Sequence, residues 1–195
     1  MSRKDRVLQQ LTSAPNQLTL LRLVFAPFIA TSVMEGNYRW ALGLFVLAGV
    51  SDGLDGLLAR WMDQRTVLGQ YLDPIADKLL LSTMFLVLSV THDIPWRITV
   101  LVFSRDIGIL LVCAVLYMTT ELRDFSPSIY GKANTLAQII ALLLALLQPL
   151  WNIENVAQAK VVALWVVFGL TLFSGLHYIV LVGKRLRDLD TQTRP

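Results

Sequence analysis

Six apolar stretches dominate this sequence, at 18–34, 40–59, 71–90, 94–118, 132–151 and 156–183. Each approaches or exceeds the roughly 20 residues that an α-helix needs to cross about 30 Å of hydrocarbon. Runs this long and continuous leave helix as the only state, because backbone polar groups find no water in lipid and no alternating barrel strands are present. Composition agrees: 55% of residues are hydrophobic, mean hydropathy is +0.58, and 16% are charged. An ordinary soluble domain carries about 25% charged residues. The sequence predicts an all-α integral membrane protein of six transmembrane helices, one domain over 1–195. The first stretch does not read as a signal peptide, since it starts late, holds Arg22 and Pro27, and is followed by five more spans.

The basic residues set an orientation. Eleven Lys and Arg fall in the N-terminus, the connections at 60–70 and 119–131 with Lys132, and the C-terminal tail. Three, Arg39, Arg97 and Lys160, fall on the other side. The positive-inside rule places both termini in the cytoplasm. Residues 1–13 mix charges with Val7, Leu8 and Leu11. They read either as a short helix on the membrane surface or as a solvated basic leader. The tail from Lys184 reads as a charged end. No nucleic-acid partner is expected, because the +3 net charge is not concentrated on one face. The single cysteine, Cys113, excludes an intrachain disulfide and reads as a packed small hydrophobe.

Charges inside the spans carry the chemistry. Arg22, Lys78, Arg105, Asp52, Asp55, Asp73, Asp77 and Asp106 all lie at such positions. Each costs at least about 2.5–3.5 kcal/mol at bilayer depth, so each needs a partner or a wet cavity. Asp52 and Asp55 are three apart on one predicted helix; Asp73 and Asp77 are four apart on the next. A short connection makes these two helices antiparallel neighbours, so the four carboxylates can converge near the cytoplasmic end. Four acids together repel unless cations neutralise them, and hard oxygen ligands suit Mg²⁺, Mn²⁺ or Ca²⁺. Gly56 and Ala59 continue the acidic face and remove bulk, which leaves room for a ligand or for close helix packing. Arg60 and Lys78 flank the acids and suit phosphate oxygens. The set points to a diphosphate-containing substrate.

The run also fits the pattern D-x2-D-G-x2-A-R-x8-G-x3-D-x3-D. All eight fixed positions are met, by Asp52, Asp55, Gly56, Ala59, Arg60, Gly69, Asp73 and Asp77. Chance agreement anywhere in such a chain is on the order of 10⁻⁸ at average residue frequencies. The chain therefore resembles the CDP-alcohol phosphatidyltransferases. Further likeness lies in Pro15-Asn16-x-x-Thr19-x-x-Arg22, Arg105-Asp106 and Gly131-Lys132-x-Asn134-Thr135.

The resemblance implies transfer of a phosphatidyl group from CDP-diacylglycerol to an alcohol, with release of CMP. It implies two divalent cations, Mg²⁺ or Mn²⁺, on Asp52, Asp55, Asp73 and Asp77, with Asp77 also the general base. Asn16, Thr19, Gly56, Ala59, Arg60 and Thr66 look like the CDP-lipid pocket. Arg105, Lys132 and Lys78 are the candidate acceptor contacts; the alternative for Arg105 is an internal ion pair with Asp106 or Asp73. The stretch 104–110 and the stretch 41–49 resemble the branch whose acceptor is phosphatidylglycerol, giving cardiolipin. Glycerol 3-phosphate, giving phosphatidylglycerophosphate, is the alternative. Relatives are commonly homodimers. With no transit-like leader visible, the expected location is a bacterial cytoplasmic membrane, active site toward the cytoplasm. Outside the family, an intramembrane prenyltransferase would use two separated acidic motifs, and a cation transporter would need a path across the bilayer.

Overall fold

A computed structural model of the chain describes residues 14–62, 67–119, 129–151 and 153–192, with side chains at 21–51, 76–111, 129–151, 153–180 and 183. Among these residues it is all-helical. The six helices are α1 (Ala14–Met34), α2 (Tyr38–Met62), α3 (Val67–Val90), α4 (Trp96–Thr119), α5 (Ile129–Trp151) and α6 (Glu154–Gln192). Every apolar stretch became a helix. The expectation for residues 1–13 lies outside the described residues.

The boundaries moved where polar residues can still be helical. α6 runs on to Gln192, so the segment read as a charged end is largely helix. Lys, Arg and Leu, frequent in this tail, sustain a helix in water, which hydropathy alone does not register. At 39 residues α6 is roughly 58 Å long, far more than a bilayer core requires. Two described segments are long and apolar enough to cross a membrane, Ile129–Trp151 and Glu154–Val180. Large apolar side chains such as Trp40, Trp165, Leu176 and Ile179 are exposed along the helices, a surface suited to lipid rather than water.

The chain forms two compact units. In the first, α1 packs extensively against both α2 and α3 among the described residues. α1 buries Arg22, Ala26, Ile29 and Val33, α2 buries Ala41, Phe45 and Ala48, and α3 buries Ala76, Leu80, Met84, Phe85 and Leu88. These spacings of three and four are helix stripes. Their alanines allow backbones to approach closely, which matters where lipid removes the hydrophobic drive between helices.

The turns of this unit are capped by backbone geometry. Gly36, at φ 75°, ends α1 in a Schellman motif, with Asn37 N–H donating to the Ser32 carbonyl at 2.8 Å. His92 ends α3 at φ 64°, a conformation that costs an L-residue roughly 1–2 kcal/mol. Beside it Asp93 Oδ2 accepts from Thr91 Oγ1 at 2.6 Å and from Tyr38 Oη at 2.7 Å. That clamp ties the start of α2 to the end of α3. Burial first, then the Asp93 carboxylate, pushes the Tyr38 phenol up to about 12.

In the second unit α4 packs on α6. Among the described residues its buried polar ones are Thr99, Asp106, Asn134, Gln138, Thr171 and Ser174.

Candidate active site

The backbone carries the acidic signature on helices, as its spacing predicts. Asp52, Asp55, Gly56, Ala59 and Arg60 lie on α2; Gly69, Asp73, Asp77 and Lys78 lie on α3. Asn16, Thr19 and Arg22 lie on α1. The side chains of Asn16, Thr19, Asp52, Asp55, Gly56, Ala59, Arg60 and Asp73 are outside the described residues, as is Thr66 altogether. No group of three or more His, Cys, Asp or Glu gathers among the described residues.

Asp77 is described, and its surroundings are informative. Arg22 of α1 forms an ion pair with its Oδ1. The Arg22 side chain is 2% exposed, whereas that of Asp77 is 42% exposed. Arg22 continues the stripe Ala26, Ile29, Val33, so the face that packs α1 against its neighbours ends in a cation. Burial of that cation is offset by the carboxylate, and the carboxylate still keeps much of its surface open. Lys78 follows on the same helix, half-buried.

The second unit brings a different set together. Arg105 of α4 donates from Nη1 to Asp106 Oδ1 at 2.8 Å and from Nε to Ser174 Oγ of α6 at 3.0 Å. The ion-pair alternative for Arg105 is thus present, with Asp106. Thr171 Oγ1, one turn before Ser174, donates to Asn134 Oδ1 of α5 at 2.9 Å. One turn beyond Asn134 on α5 sits Gln138, 0% exposed; neither of its amide atoms meets a partner among the described residues. Lys132 is exposed on the first turn of α5. Nearby Tyr130 contacts Phe173 edge-on at 5.0 Å between centroids and His177 at 4.8 Å.

Ser174, Thr171 and Gln138 were missed in the sequence. Ser and Thr are ordinary in membrane helices, so type gives no warning. The helical spacings Thr171–Ser174 and Asn134–Gln138 are the signals that could have flagged them, and they gain meaning only once Asn134 and Arg105 are seen to meet α6.

The carboxylate donor set is the right chemistry for hard divalent cations. It has four oxygen acids on two helices, no soft ligand in the run, and an Asp77 carboxylate half open despite its pairing.

Comparison with known proteins converges on one family. The sequence model of the CDP-alcohol phosphatidyltransferases matches residues 12–173. The chain is 32% identical to a human cardiolipin synthase (CMP-forming) over 184 residues, covering 84% of this chain and 60% of that protein. It is 34% identical over 189 residues to a probable phosphatidylglycerophosphate synthase of Mycobacterium tuberculosis, covering 92% of this chain and 85% of the relative. It is 38% identical over 133 residues to a CDP-diacylglycerol–glycerol-3-phosphate 3-phosphatidyltransferase of Aquifex aeolicus, covering 67% and 74%. Against the human protein and its rat counterpart the chain spans only 60% and 51% of their length. With the signature complete on α2 and α3 and the family match extending over most of its length, the chain belongs to the CDP-alcohol phosphatidyltransferase family.

Proposed function

We propose that this protein transfers the phosphatidyl group of CDP-diacylglycerol to a glycerol-type alcohol and releases CMP. The observation that carries this reading is the complete acidic signature on two helices, ending at an Asp77 carboxylate that is both held and open. Asp77 takes the proton of the acceptor hydroxyl. The freed oxygen forms a bond to the lipid-side phosphorus, the phosphoanhydride bond breaks, and CMP leaves with its electron pair. Arg22 holds Asp77 in place from the buried side. Such a transfer needs positioning and charge stabilisation rather than a covalent nucleophile.

Asp52, Asp55, Asp73 and Asp77 would hold two Mg²⁺ or Mn²⁺ ions, whose charge offsets that of the diphosphate when bound. Gly56, Ala59 and Arg60, with Asn16, Thr19 and Thr66, wall the CDP moiety. Arg105 and Lys132, of the second unit, contact the acceptor phosphate; Lys78, of the first, is a candidate for the same role by the resemblance alone.

Phosphatidylglycerol is the preferred acceptor, giving cardiolipin, in keeping with the likeness at 104–110 and with the human relative's name. Glycerol 3-phosphate is the second reading, favoured by the Mycobacterium and Aquifex relatives, which this chain covers more fully. The six helices span the membrane with both termini in the cytoplasm, in a bacterial cytoplasmic membrane. The chain works as a homodimer, with its chemistry at the cytoplasmic face.

The test offers CDP-diacylglycerol to purified protein in lipid nanodiscs, with phosphatidylglycerol or glycerol 3-phosphate, with and without Mg²⁺. Metal-dependent CMP release is expected, and the lipid product names the acceptor. No release with either acceptor would defeat the proposal and return attention to a prenyltransferase or a transporter.

A further inference from the structure

Arginine is a long side chain, and a receptor built from it works best when its fork is already fixed. Arg105 is fixed in three ways. Ser174 Oγ accepts from Nε at 3.0 Å. Asp106 Oδ1 accepts from Nη1 at 2.8 Å. The aliphatic stem runs past Gly175, where an added Cβ would come within 3.8 Å of Arg105 Cγ. Ser174 is buried, as is Asp106. Asp106 also offsets the cost of carrying a cation at this depth. The Nη2 edge of the fork is used by neither bond, and the Arg105 side chain keeps 10% of its surface exposed.

We infer that Ser174 and Gly175 are positioning residues for Arg105, and that with Asp106 they make a preformed receptor for a phosphate group on the acceptor. This deepens the proposed function and rests on it. Ser174 catches the guanidinium from α6 while Gly175 leaves room for its stem, so the edge that neither bond uses is presented in one orientation. The ligand chemistry is a phosphate ester attached to glycerol, which phosphatidylglycerol and glycerol 3-phosphate share. Ser174 touches no reacting atom in this scheme.

The competing role is a staple that merely joins α4 to α6, and kinetics separate the two. In nanodiscs, with CDP-diacylglycerol saturating, Ser174→Ala is expected to raise the acceptor KM about tenfold, the scale of lost orienting contacts. Its kcat stays within about twofold and its KM for CDP-diacylglycerol is unchanged. Ser174→Thr keeps the hydroxyl and restores the wild-type acceptor KM. Gly175→Leu displaces the stem and raises the acceptor KM. An unchanged acceptor KM in Ser174→Ala, or a matched decline in kcat and both KM values, overturns the inference. If wild type releases no CMP with either acceptor, the proposed function has failed. The receptor is then judged by calorimetric titration with glycerol 3-phosphate. Binding by wild type that weakens in Ser174→Ala supports it; binding equal in both, or none in wild type, overturns it.

Discussion

Arg22 and Arg105 both meet an aspartate among packed helices, yet one pair is buried unevenly and the other evenly. Arg22 reaches from α1 to Asp77 on α3, across 55 positions of sequence, and is almost wholly buried while the acid stays open. Arg105 meets its neighbour in sequence, Asp106, and both side chains are about nine-tenths buried. In the first pair the cation is sealed and the carboxylate faces outward. In the second both partners are enclosed to the same degree, and the guanidinium is held further by Ser174. The first arrangement suits a group that must accept a proton, and the second suits a guanidinium that must be held in one orientation. The same two residue types are therefore presented differently, as the packing encloses one partner or both.

The contrast breaks most clearly on the acids. Asp77→Asn is expected to lower CMP release by about 10²–10⁴-fold, the usual loss with a general base, with helicity unchanged by circular dichroism. Asp106→Asn retains a hydrogen-bond acceptor for Arg105 but leaves the cation without its counter-charge. Its main effect is on stability, a loss of about 2–3 kcal/mol, below the 3–5 expected when a buried pair loses a partner outright. Thermal unfolding in nanodiscs measures it. Equal effects of the two variants on turnover would erase the distinction.

A second test contrasts two polar residues one turn apart on α5. Asn134→Leu removes the acceptor of the buried Thr171 hydroxyl and should cost about 1–3 kcal/mol. Gln138→Met removes an amide with no partner among the described residues and should leave the unfolding midpoint unchanged or raise it. A loss as large as that of Asn134→Leu would show that the Gln138 amide is engaged.

The smallest effects belong to the far turn of the first unit. His92→Gly relieves a positive φ and should stabilise by up to about 1 kcal/mol, read from the same unfolding midpoint. Tyr38 links this turn to pH. Its folded pKa, about 12, lies above the ordinary 10. Its contribution is fully present below pH 10 and is lost as pH rises through 12. Tyr38→Phe should flatten that alkaline limb, and an unaltered profile would discount the clamp.

What could be read from the chain was local. Six apolar runs marked six helices because hydrocarbon leaves the backbone no other choice. The aspartates announced themselves through spacings of three and four, since helix periodicity converts sequence distance directly into a shared face. Arg105–Asp106 was visible as a pair because the two are neighbours in the chain. The end of α6 was misjudged because hydropathy reports where lipid stops, not where a helix stops.

Partnerships between helices were not legible. Nothing in the sequence selects Arg22 for Asp77, Tyr38 for Asp93, or Ser174 for Arg105, because each bond depends on which faces the packed helices turn toward each other. Sequence alone determined the helical class, the family and the acidic signature, all set by periodicity and residue type. Tertiary structure alone decided which charge is covered and which stays open, because burial is a property of neighbours that packing brings together from distant parts of the chain.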